Sequence, residues 1–104
     1  MLFRSQPKTE DEKAIVSMIT ARESKERIPA IVTSLVTSDS YGLYSWVVGE
    51  TGGQTTVTKK GGTWVISRGT GGRVDIETLQ RWGVPDAIAQ DLIQKMDIQT
   101  KANR

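Results

Sequence analysis

The sequence predicts an α+β domain with an N-terminal helix, a four-stranded antiparallel meander and a C-terminal helical hairpin. Three observations carry that prediction. A capping box followed by helical apolar spacing opens the chain at "TEDEKAIVSMIT". Residues 30–67 then turn to Val, Ile, Thr, Tyr and Trp, with turn formers at intervals of roughly eight to twelve residues. After "GTGG" the helical period returns and holds to Met96. A length of 104 residues suits one domain, 1–104, with an ordered core expected over about 9–97 and frayed ends.

In the first helix, expected over 10–26, Thr9 and Glu12 are spaced to satisfy each other's backbone N–H groups. Glu10, Asp11 and Glu12 favour the positive end of the helix dipole, and Arg22, Lys25 and Arg27 lie toward the negative end. Ile15, Met18 and Ile19 make the apolar stripe, and Pro29 stops the helix by disfavouring it in the preceding residue. Four strands follow at 30–38, 41–49, 54–60 and 63–68, joined by Asp39-Ser40, by "ETGG" and by Gly61-Gly62. The Gly-Gly joint supplies the positive φ angles of a tight hairpin, so neighbouring strands are expected to be antiparallel. Asp75 then caps "IETLQRW", Gly83 ends that helix in left-handed geometry, and Pro85 opens "PDAIAQDLIQKM". The tail "DIQTKANR" loses the period and is expected to fray.

Apolar residues point both ways from the predicted sheet. Leu43 and Val47 alternate with Tyr44, Trp46 and Val48, and Val65 opposes Trp64 and Ile66. Both faces must therefore be covered: the first helix is expected across one, the helical hairpin against an edge or the opposite face, and a partner over part of the second face.

Composition narrows the chemistry. The chain has neither Cys nor His, which removes disulfides, thiolate nucleophiles, zinc–thiolate and imidazole sites and the commonest general base. No metal site, cofactor or catalytic group is expected, and Tyr41, Tyr44, Asp39 and Glu50 each have a sufficient structural role. Fourteen basic and twelve acidic residues leave a net charge of +2, which permits anionic partners without demanding them. No apolar run reaches the length of a membrane span. The compartment stays open: cytoplasmic if Met1 is native, exported to a periplasm or lumen if a signal peptide has been removed.

The stretch "KKGGTWVISRGTGGR", Lys59 to Arg73, carries four cations, two glycine clusters and no acid. Two readings follow. Gly71 and Gly72 could aim successive N–H groups at an anion, helped by Lys59, Lys60, Arg68 and Arg73. Alternatively "RGTGGR" is a strand-to-helix turn that uses glycine's conformational freedom. The turn needs less: Val74 breaks G-x-G-x-x-G, no Gly-Lys-Ser/Thr is present, and the Asp75 carboxylate would compete with an anion. Trp46 and Trp64 beside the lysines could likewise stack bases or fill the core, and a small domain needs their area in the core.

Together "YGLYSWVVGETGGQ", "GGTWVISRGTGG" and "LQRWGVP" resemble a group of small bacterial proteins, best represented in cyanobacteria, over about residues 41–96. The shared pattern is a Tyr-to-Trp strand, a Gly-Gly-Gln turn, a Gly-x-Trp strand and a Gly-Val-Pro joint. That resemblance implies no activity and no catalytic residue, and it implies export where a signal precedes the domain. The helix-then-meander order is also similar to cystatin-like and pilin-like folds. However, "QTTVT" departs from the cystatin Gln-x-Val-x-Gly loop, since Val57 comes one position late and no glycine follows it in place. The functional expectation is a noncatalytic interaction or accessory module with a protein partner or a second copy of itself. Anion or single-stranded nucleic-acid binding through the basic glycine-rich stretch is the alternative, and an enzyme is third.

Overall fold

A computed structural model describes residues 2–3, 9–23 and 30–102. Strand β1 (Leu2–Phe3) precedes helix α1 (Glu10–Glu23), and the meander follows as β2 (Ile31–Ser38), β3 (Tyr41–Val48), β4 (Thr51–Lys60) and β5 (Thr63–Gly71). Helices α2 (Ile76–Arg81) and α3 (Asp86–Ala102) close the chain. The sheet order is β1-β2-β3-β4-β5, antiparallel throughout the meander, as the sequence predicts. The short parallel β1, pairing Leu2 with Ile31 and Phe3 with Val32, is an addition the sequence does not signal.

The local signals act where they are read. Glu12 N donates to Thr9 Oγ1 at 3.0 Å and Thr9 N donates to Glu12 Oε2 at 3.2 Å, completing the capping box. The expected continuation of α1 over 24–26 lies outside the described residues. Gly61 and Gly62 turn the β4–β5 hairpin at φ 57° and 82°. Asp75 Oδ1 accepts from Thr78 N at 2.8 Å, which caps α2. Gly83 ends α2 at φ 91°, with Gly83 N donating to the Gln80 carbonyl and Val84 N to the Leu79 carbonyl, the two bonds of a Schellman motif.

Three expectations are corrected. The "ETGG" loop shrinks to Gly49-Glu50, and Thr51, Gly52 and Gly53 belong to β4. "RGTGGR" is no turn: Gly69 to Gly71 extend β5 past the predicted end at Arg68, and Gly72, at φ 99°, is where the chain leaves it. The tail does not fray after residue 97, because α3 runs on to Ala102 and Gln99 docks it on the sheet. Glycine serves two ends in this region, positive φ and close approach, and the sequence does not distinguish them. A Cβ on Gly69 would come within 2.6 Å of Thr55 Oγ1, and one on Gly53 would fall on the Thr70 carbonyl oxygen and the Trp46 ring.

Both faces of the sheet are covered from within the chain. On one, Ile15 and Ile19 of α1 pack with Val32, Leu35, Tyr44, Val57 and Trp64. On the other, Leu79, Val84, Ala89, Leu92 and Met96 pack with Val36 and Leu43. The aromatic side chains serve this packing: Trp64 and Tyr44 are buried, and Trp82 packs against the α2–α3 cluster. A partner is therefore not needed over either core, which removes one of the grounds on which the sequence favours association.

The outer edge of β2 is closed by other means. The register places the backbone groups of Leu35 and Thr37 away from β3. Gln99 meets both groups of Leu35, its Oε1 accepting from the N–H at 2.5 Å and its Nε2 donating to the carbonyl at 3.0 Å. One turn earlier, Lys95 Nζ donates to the Thr37 carbonyl at 2.8 Å and pairs with Asp91 at 2.9 Å. Asp91 accepts from Ser38, and these bonds lower its pKa. One stripe of α3 thus satisfies an exposed strand edge.

Candidate interaction surface

The six residues offered by the sequence as a binding set do not converge. Lys59 and Lys60 lie at the hairpin end of β4, Arg68 stands in β5, and Gly71, Gly72 and Arg73 lie at the far end of that strand. From Thr63 to Gly71 the strand runs about 26 Å at its usual rise. Lys60 and Arg73 therefore lie at opposite ends of this strand and share no single site.

Several of these groups already have internal work. Lys59 Nζ lies 3.1 Å from Asp11 Oδ1 and 6.0 Å above the Trp64 ring centroid. Trp64 Nε1 donates to the same carboxylate oxygen at 3.2 Å, so Asp11 ties the first turn of α1 to both strands of the hairpin. Arg73 Nη2 meets the Asp97 carboxylate. Gly72 N donates to the Gly52 carbonyl at 3.0 Å and Val74 N to Gln54 Oε1 at 2.7 Å. Of the two N–H groups that the sequence offers as an anion nest, that of Gly72 is thereby occupied within the chain, so Gly71 and Gly72 cannot aim successive donors at one anion.

Asp11 does more than the capping and helix-dipole roles that the sequence assigns to the acidic trio. The Lys59 and Trp64 hydrogen bonds hold its carboxyl below the ordinary aspartate range. A depressed folded pKa adds stability that is present above the unfolded value of about 3.9 and lost as pH falls through the folded one. Asp11→Asn is accordingly expected to destabilise at pH 7, with the gap from wild type closing toward pH 2. Urea unfolding at both pH values measures it, and a gap that persists in acid would assign the loss to packing instead.

The remaining face of interest is the outer edge of β5. Lys59 N donates to the Ser40 carbonyl and Gly72 N to that of Gly52, which fixes the alternation along β4. With the Lys60↔Thr63 and Thr58↔Val65 pairs turned inward, the N–H and C=O groups of Trp64 and Ile66 point away from the sheet. Beyond a bulge those of Gly69 do the same. At the bulge the Thr56 hydroxyl donates to the Arg68 carbonyl at 2.9 Å and accepts from its N–H at 3.1 Å, replacing the missing rung. Among the described residues nothing meets the outward groups of Trp64, Ile66 or Gly69. Val65 is 37% exposed on this strand, and Thr63, Ser67 and Arg68 are exposed beside it.

A groove of about 750 Å³ opens elsewhere, between the end of α3 and the β2–β4 part of the sheet. Gln54, Ser45 and Met96 lie along it, with Arg73, Asp97 and Lys101 more exposed. Its inner polar atoms bond one another: Gln54 Nε2 donates to Ser45 Oγ at 2.9 Å, and Ser45 Oγ donates to Met96 Sδ at 3.5 Å. They are already committed to the fold rather than poised to orient a reacting group. Among the described residues no cluster of three acidic groups could hold a metal ion, and no helix is long and apolar enough to cross a membrane. No family model, curated protein or solved structure matches the chain.

Proposed function

We propose that the chain is a noncatalytic interaction module that binds its partner through the outer edge of β5. The observation that carries this reading is the contrast between the two edges of one sheet. The β2 edge is closed by β1 and by the Asp91, Lys95 and Gln99 stripe, whereas the outward backbone groups of Trp64, Ile66 and Gly69 have no partner among the described residues. A strand edge of this kind accepts an extended segment by backbone hydrogen bonding, with side-chain pockets supplying selectivity. Arg68 and the bulge beside it also hinder indiscriminate sheet extension, so the usable rungs are short. The basic stretch lends less support to single-stranded nucleic acid, since Trp64 is buried against α1 and offers no face for stacking.

A photo-cross-linking residue at Val65, compared with one at the exposed Gln80 of α2, tests this in cells. Adducts with a protein, or with a second copy, at position 65 and none at position 80 are expected. Adducts with nucleic acid, or equal labelling at both positions, would remove the reading.

A further inference from the structure

We infer that the partner of the β5 edge is an extended acidic segment that adds as a further strand along Thr63–Ile66, its carboxylates meeting Lys60 and Arg68. The inference rests on the edge-binding reading above and adds the chemistry of the occupant. It begins from charge. Residues 51–74 contain four cations and no acid. Two of the four are neutralised internally, Lys59 by Asp11 and Arg73 by Asp97. Lys60 and Arg68 are exposed and have no ion pair among the described residues. They bracket the open rungs, Lys60 beside Thr63 at the hairpin end and Arg68 just past Ile66 at the bulge.

The geometry sets the spacing. Thr63 to Arg68 spans about 16 Å of strand, so carboxylates some five residues apart on an added strand would reach both cations. Between them the partner offers backbone to the N–H and C=O groups of Trp64 and Ile66. A β-branched or aliphatic side chain opposite Val65 would cover the exposed apolar surface there. Charge also argues against a second copy as the occupant. Pairing two β5 edges about Val65 would bring Lys60 and Arg68 of both chains to one seam with no acid between them, and like charges so placed repel. The acids of "TEDE" are not available as a strand, being bound up in the start of α1.

The test uses a labelled peptide of alternating Thr and Val closed at each end by a pair of Glu, and a counterpart closed by Lys. Binding is read by anisotropy and by amide hydrogen exchange in the intact chain. The Glu-closed peptide is expected to protect the Trp64 and Ile66 amides and to bind at least about tenfold more tightly than the Lys-closed one. Arg68→Glu, whose side chain is exposed, leaves Lys60 opposed by an acid and should abolish that preference while leaving the unfolding midpoint near wild type. Equal binding of both peptides with the same amides protected would overturn the acidic partner and leave the edge reading standing. No protection of Trp64 and Ile66 by either peptide would overturn both. A single-stranded oligonucleotide that displaces the Glu-closed peptide and itself protects those amides would replace the acidic segment with nucleic acid.

Discussion

Gly53→Ala is expected to destabilise the fold by about 3 kcal/mol or more, an unusual loss for one added methyl group. The new Cβ would fall on the Thr70 carbonyl oxygen of the facing strand and into the six-membered ring of Trp46. The ring can shift only by giving up its bond from Nε1 to Thr55 Oγ1, 2.9 Å long, and its packing beside the α1 cluster. The carbonyl can shift only by parting β4 from β5. Two neighbouring glycines serve as controls. At Gly71, which pairs with Gly53, a Cβ finds its nearest contact at 3.9 Å, and at Gly52 it finds 3.3 Å to the Trp46 carbonyl. Gly71→Ala is expected to lie within about 0.5 kcal/mol of wild type, with Gly52→Ala in between. Urea midpoints rank the three, and equal losses at 53 and 71 would show that glycine serves this region through flexibility rather than close approach.

Trp64→Ala is expected to lose about 3–5 kcal/mol, the range for emptying a buried aromatic site. Trp64 is 4% exposed and packs with Ile15, Ile19 and Val57 between α1 and the hairpin. Its truncation also strips Asp11 of one donor and Lys59 of the ring beneath it. Trp64→Phe keeps most of the apolar area but not the N–H, and a loss of about 1–2 kcal/mol is expected from it. Combining Trp64→Phe with Asp11→Asn separates the contributions. If the indole N–H acts through Asp11, the double variant loses less than the two singles together. Strict additivity would mean that Asp11 serves Lys59 alone.

The elements legible in the sequence are those whose signals are local. Thr9 with Glu12, Gly61 with Gly62, and Asp75 with Thr78 each complete a structure within a few residues, and each appears where the spacing puts it. What escapes is decided across the fold. "DIQTKANR" carries little apolar period, so nothing local continues the helix. Gln99 continues it by reaching Leu35, sixty-four positions away in the chain. The glycines of "GETGG" and "SRGTGG" look like turns until β4 and β5 are laid side by side, where Gly53 faces Gly71 and Thr55 faces Gly69. The surface we propose for binding escapes for the same reason. Arg68 and Lys60 are conspicuous as charges, but the groups between them that matter most are backbone atoms, and the outward alternation of Trp64 and Ile66 exists only once the register is set.

The Asp91, Lys95 and Gln99 stripe has a consequence in time. All of β2 through β5 precedes it in the chain, so during synthesis the sheet can assemble before the helix that covers Leu35 and Thr37 has been made. At about 5–20 residues per second that interval lasts on the order of seconds. In it the nascent protein offers raw edges on both sides of the sheet, the condition under which neighbouring chains on one messenger meet and pair wrongly. Expression at low temperature slows elongation and also weakens hydrophobic association, so the yield of soluble chain becomes a contest between two rates rather than a reading of final stability. Lys95 and Gln99 then end this interval as well as holding the finished fold, and variants at these positions, which leave Leu35 and Thr37 uncovered for good, would show their damage in the insoluble fraction of the cell as well as in the unfolding curve of the purified protein.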